Sequence, residues 1–154
     1  MTYVLRAVIA ADELLRAAAR SVPGARVASL AQGLSLLPMT EEVFDAVTDG
    51  SATRAPGFWR LPEGFERKLA EWSAAGPVAY VEAEYFGGVG EQRAVVWADG
   101  AIALGPLDDP AVRLSAISQA LRRLGATSGP ARDEFAAVGL HRHRYNEGWI
   151  STSP

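Results

Sequence analysis

The sequence predicts an α+β domain: a mostly antiparallel sheet with a three-strand meander at about 77–105 and helices packed largely on one face. Three observations carry that prediction. The stretch from Val78 to Leu104 holds three β-type runs in succession, broken by Gly87-Gly88-Val89-Gly90 and then by Asp99-Gly100. Asn-Gly and Asp-Gly pairs between such runs mark tight hairpins, so these neighbours join antiparallel rather than through helical crossovers. The 154 residues, 49% hydrophobic and 21% charged, suffice for one core and one domain over 1–154, with no need of a staple.

The elements follow in order. Tyr3 to Ile9 is short and rich in β-branched and aromatic residues, which predicts a strand. Asp12 is placed to cap a helix with Leu14, Leu15, Ala18, Ala19 and Val22 on one stripe, stopped by Pro23-Gly24. Arg26 to Pro38 predicts a hairpin turning near Gln32-Gly33. Thr40 with Glu41 and Glu42 is a helix start, since a hydroxyl and two acids suit the exposed first amides. Residues 50 to 58 are rich in turn formers and predict a mobile loop. Pro62 opens a third helix carrying Phe65, Leu69 and Trp72. After the meander, Leu114, Ile117, Leu121 and Leu124 form a helical stripe closed by Gly125. A short helix over 133–138 ends at Gly139, and an irregular tail begins at about 141. The order is β-α-ββ-α-α-βββ-α-α.

Alternation sorts the meander into two faces. Pairing Phe86 with Glu91 sets Glu84 opposite Arg93 and Tyr80 opposite Trp97. The Asp99-Gly100 turn then sets Trp97 opposite Ile102 and Val95 opposite Leu104. One face carries Tyr80, Val95, Trp97, Ile102 and Leu104, with Glu82, Glu84 and Arg93 at its loop end. The other carries small residues such as Ala79, Ala83, Ala94 and Ala101, which suit a closely packed helix or a partner. The charged end reads either as a cross-strand Glu84–Arg93 ion pair at the rim or as an acidic pocket formed by Glu82, Glu84 and Arg93.

Composition removes several classes of function. A net charge of −3 excludes a broad basic footprint for nucleic acid. The absence of cysteine excludes disulfides, thiolate zinc sites and cysteine nucleophiles. No apolar run reaches the roughly 18 residues of a membrane span, and Met-Thr-Tyr-Val-Leu-Arg has no basic leader, so a cytoplasmic protein is expected. Lys68 is the only lysine beside many arginines, which fits a GC-rich genome or an arginine-bearing recognition surface.

The short motifs point away from cofactors. Gly87-Gly88-Val89-Gly90 is followed by a strand, whereas a phosphate loop leads into a helix whose amides meet the anion. His141 and His143 share a side of an extended segment, but the interleaved Arg142 and Arg144 repel a dication, so a solvated tail is expected and no metal. No Gly-x-Ser-x-Gly elbow occurs, and no catalytic set is assigned. Trp72 and Trp97 sit at core spacings. Trp59, beside Phe58, and Trp149, near the basic tail, do not, and either close over the core or anchor a partner.

Three segments carry a resemblance. Tyr85 to Gln92 ending in Val96-Trp97, Ile117 to Gly125, and Gly139 to Arg144 make the region from about 77 to 149 similar to small uncharacterised actinobacterial proteins, some of them immunity-protein-like. The resemblance implies a non-enzymatic protein that binds and neutralises a toxin, and it implies no catalytic residues. The expected protein-binding residues are Trp59, Trp149, Glu82, Glu84, Glu91 and Arg93, with no cofactor, and with a protein as partner rather than nucleic acid or membrane. Two other readings stand beside it: a small enzyme or ligand-binding domain using the Glu82, Glu84 and Arg93 end, and a homodimeric structural subunit joined through its alanine-rich face.

Overall fold

Strand β1 (Thr2–Ala11) buries apolar side chains on both sides, Leu5, Ala7 and Ile9 on one and Val8 and Ala10 on the other, as an interior strand must. The structure is a computed structural model and describes residues 2–48, 58, 61–86, 89–108, 116–131, 133–143 and 145–149. Around β1 lie β2 (Ala28–Ser29), β3 (Leu34–Pro38), β4 (Val78–Phe86), β5 (Val89–Ala98) and β6 (Ala101–Asp108). They form one sheet in the order β2-β3-β1-β4-β5-β6, antiparallel at every step. The α+β class read from the hairpin pattern is the observed one.

The helices are α1 (Asp12–Ala19), α2 (Glu41–Val47), α3 (Glu63–Trp72), α4 (Ala116–Arg123) and α5 (Glu134–Val138). They divide three and two between the faces rather than gathering on one. Leu15, Val43, Phe65 and Leu69 of the first three pack with Tyr80, Val95 and Trp97. Ile117, Ala120 and Leu121 of α4 and Val138 of α5 pack on the alanine-rich face. The small side chains of Ala79, Ala83 and Ala94 let α4 come close, so that part of the face is filled by the chain itself, while Ala101 and Ala103 of the edge strand stay exposed. Among the described residues, no helix is long and apolar enough to cross a membrane.

Local signals mostly act as their chemistry dictates. The Thr40 hydroxyl accepts from the Val43 amide at 3.3 Å, and Asp133 accepts from the Ala136 amide at 2.9 Å. Asp12 does not cap α1. It is the first helical residue, and its carboxylate accepts from Arg16 Nε at 2.8 Å and from the Ser35 hydroxyl of β3, tying helix to sheet. Those bonds hold the Asp12 carboxyl below its ordinary value, the Ser35 bond first and the Arg16 bond second. The loop expected over 50–58 lies outside the described residues except for Phe58, which is buried.

The meander differs from expectation in two registers. Phe86 pairs with Val89, not Glu91, so every β4–β5 partner shifts by two residues while each side chain keeps its face. The Asp99-Gly100 turn forms with positive φ at both positions, 53° and 82°, and pairs Trp97 with Ile102. Beyond that pair the β5–β6 ladder is irregular and Val96, not Val95, faces Leu104. Gly105, at φ +87°, sits where a Cβ would lie 2.7 Å from the Ala94 carbonyl oxygen. The irregularity turns Leu104 toward the alanine-rich face, against the expected set. Ile102 is 51% exposed instead of buried, because α3 lies over β4 and β5 and stops short of the edge strand.

Candidate functional site

Along the Tyr80–Trp97 face the cross-strand rows change from apolar to charged toward Phe86. Arg6 of β1, Glu82 of β4 and Arg93 of β5 stand in one row, and Val4, Glu84 and Glu91 in the next. The two-residue slip breaks the expected Glu84–Arg93 pair. Arg6 Nη2 donates to Glu84 Oε2 at 2.5 Å, and Arg93 Nη2 donates to Glu91 Oε2 at 3.3 Å. Glu84 and Glu91, facing each other as like charges, are thus each held by a separate guanidinium.

Glu82 occupies neither a rim nor an open pocket. It is fully buried, accepts from the Tyr80 hydroxyl at 2.8 Å, and lies in register between Arg6 and Arg93. A buried carboxyl group is tolerated where a donor and positive charge lie close, and here the Tyr80 hydroxyl donates while Arg6 and Arg93 flank it in register. Phe58 stands edge-on to Tyr80 at 5.4 Å and closes this part of the face. Glu82 therefore lies beneath the surface and not on it.

Glu91 is the outermost of the acids, with a side chain 46% exposed. Next to Glu84 on the same face, Phe86 stands 55% exposed at the end of β4. Nothing in the sequence reading singled out Phe86, because a strand-terminal aromatic beside a glycine loop looks like an ordinary core residue. Its period-two relation to Glu84 was the available signal.

The two tryptophans expected as anchors fare differently. Trp59 lies outside the described residues. Trp149 is 4% exposed, with the His143 ring edge-on at 4.6 Å and the Arg142 guanidinium 5.2 Å from its centre. It is a lid on the alanine-rich core, not an exposed anchor. The tail is packed at Leu140, Asn146 and Trp149, while His141, Arg142 and Tyr145 stay exposed as expected of its basic run. It forms short 3-10 turns at Leu140–Arg142 and Asn146–Trp149, and Leu140 and Asn146 are buried. The Tyr3 hydroxyl donates to the Leu140 carbonyl at 2.9 Å, and burial, helped by neighbouring Tyr85, raises its pKa. Among the described residues no group of three or more acidic, histidine or cysteine side chains is placed to hold a metal ion.

These features define an α+β protein whose sheet ends in an exposed aromatic ring bordered by carboxylates. Comparison with family models, with curated proteins and with solved structures finds no match, so the functional reading rests on this geometry.

Proposed function

We propose that this protein acts by binding another protein through the end of the sheet that carries Phe86, Glu84 and Glu91. The exposure of Phe86 on the same face as the two carboxylates carries the reading. An aromatic anchor ringed by charge is the composition of an interface centre and its rim. In both ion pairs the acid is the more exposed partner, 28% for Glu84 against 20% for Arg6 and 46% for Glu91 against 18% for Arg93. On a chain of net charge −3 this favours a basic partner and speeds encounter with it. A basic toxin neutralised by this chain as a cytoplasmic immunity protein is the partner class that this chemistry and the sequence resemblance share.

The test is capture from the native host, with the product of any neighbouring toxin gene as first candidate. Phe86→Ala should weaken binding about tenfold or more, roughly 1.4 kcal/mol, with no change in unfolding midpoint. Glu91→Gln should slow association and flatten its salt dependence. Equal capture by Phe86→Ala would remove the proposed anchor, and a small-molecule turnover abolished by Glu82→Gln would give the site to catalysis.

A homodimer has one observation of its own. β6 is the terminal strand and carries no charge from Ala101 to Leu107, with Ala101, Ile102 and Ala103 all exposed. Such an edge is open to strand addition. Light scattering on the parent and on Ile102→Lys separates the readings, since only an edge-paired dimer dissociates on that change.

A further inference from the structure

The basic tail motif, which the proposed interface leaves unused, forms one wall of a cavity of about 310 Å3 between β2 and the C-terminal turns. Arg26, Ser29, Arg142, His143 and Trp149 line it, and among the described residues no carboxylate does. Arg142 is fixed in place by two backbone carbonyls: its Nε donates to Gly139 at 3.1 Å and its Nη2 to Ser29 at 2.6 Å. A guanidinium has five N–H donors, so a clamped Arg142 still has donors to offer. Arg26 and the imidazole of His143 make no hydrogen bond or ion pair among the described residues. The buried indole N–H of Trp149 has no acceptor either. An unpaired buried donor calls for an explanation, and here it belongs to a residue that walls a cationic cavity.

We propose that this cavity binds a small molecule through a phosphate monoester group, held by Arg26 and Arg142 against the Trp149 wall. The charge of two guanidiniums matches the roughly −1.5 to −2 of a phosphate monoester at neutral pH. Their planar forks suit oxyanions that accept several bonds at once, and His143 and Trp149 add further donors. The volume is near the lower end of ligand cavities, roughly 300–1,000 Å3, which suits a phosphate with a small organic part.

The experiment follows the Trp149 indole N–H signal by NMR in the full chain, assigned with Trp149→Phe. Inorganic phosphate, glycerol 3-phosphate and citrate are each titrated at constant ionic strength. Both phosphates should move the signal saturably, with half-saturation below about 1 mM and the ester the tighter. Arg26→Gln should weaken this about tenfold and His143→Asn measurably. Arg142→Gln also releases the Ser29 clamp, so the other two variants decide. No saturable shift up to about 10 mM, or an unchanged shift in Arg26→Gln, overturns the site. Citrate binding tighter than either phosphate overturns the phosphate assignment, and inorganic phosphate binding tighter than glycerol 3-phosphate overturns the ester.

Discussion

Trp97, Trp149 and Ile102 show how far a single residue's fate can be read from its neighbours in the chain. Trp97 sits at a period-two position in a regular strand, and it is buried as that position implies. Trp149 has no such period. It packs into the alanine-rich core with Arg142 over its ring, itself tied to Ser29 more than a hundred residues earlier, which no local pattern announces. Ile102 occupies the predicted face, but the helix layer does not extend over it. Truncation should therefore separate the three. Trp97→Ala and Trp149→Ala should each lose about 3–5 kcal/mol by chemical denaturation, and Ile102→Ala should stay within about 0.5 kcal/mol. A Trp149→Ala variant as stable as the parent would return that ring to the surface.

At the scale of elements, the faces of β4 and β5 were legible and their cross-strand partners were not. A period of two fixes which side a residue takes, but it is blind to a slip of two residues. Four residues rich in glycine permit either a long loop or a tight turn, so Phe86 had two candidate partners of equal parity. The β5–β6 irregularity was within reach: a glycine followed by proline inside a strand run, Gly105-Pro106, marks such a break. What joins α4 to α5 left no signal of any period. Arg122 Nε donates to Glu134 Oε2 at 2.8 Å, and this bond above all holds the nearly buried Glu134 carboxyl below its ordinary value of 4.5. A carboxyl lowered by folding stabilises the native state above its unfolded pKa, and that contribution is lost as pH falls through the folded value. The stability gap between the parent and Glu134→Gln should accordingly be full at neutral pH and shrink below about pH 4.5. Urea midpoints at several pH values measure it, and a gap that persists undiminished into acid would show that ionisation of Glu134 plays no part. Arg122→Ala should cost only about 1–2 kcal/mol, since the Arg122 side chain is 59% exposed and water can replace it.

For the whole molecule, the question is what binds the two ends of the chain into one cooperative unit. β1 is central, flanked by β3 and β4, yet its ladder with β3 stops at the Ala7–Pro38 pair. One more bond, from the Met39 amide to the Arg6 carbonyl, closes it. That leaves the Arg6 N–H and the Met39 carbonyl without strand partners. Asn146, from the far end of the chain, satisfies both: its Oδ1 accepts from the Arg6 amide at 2.9 Å and its Nδ2 donates to the Met39 carbonyl at 3.0 Å. An amide side chain presents the same donor and acceptor as a peptide unit, so Asn146 stands in for the next residue of a strand. Asn146→Ala strands one buried donor and one buried acceptor, each worth about 1–3 kcal/mol, for a loss of about 2–4 kcal/mol allowing partial hydration. Because the bonds reach the strand at the centre of the sheet, the loss should appear as a lower urea midpoint with an unchanged slope, the mark of one transition that includes the tail. A reduced slope at an unmoved midpoint would instead show residues 140–149 detaching alone, and Asn146 would then fasten a tail rather than complete a sheet.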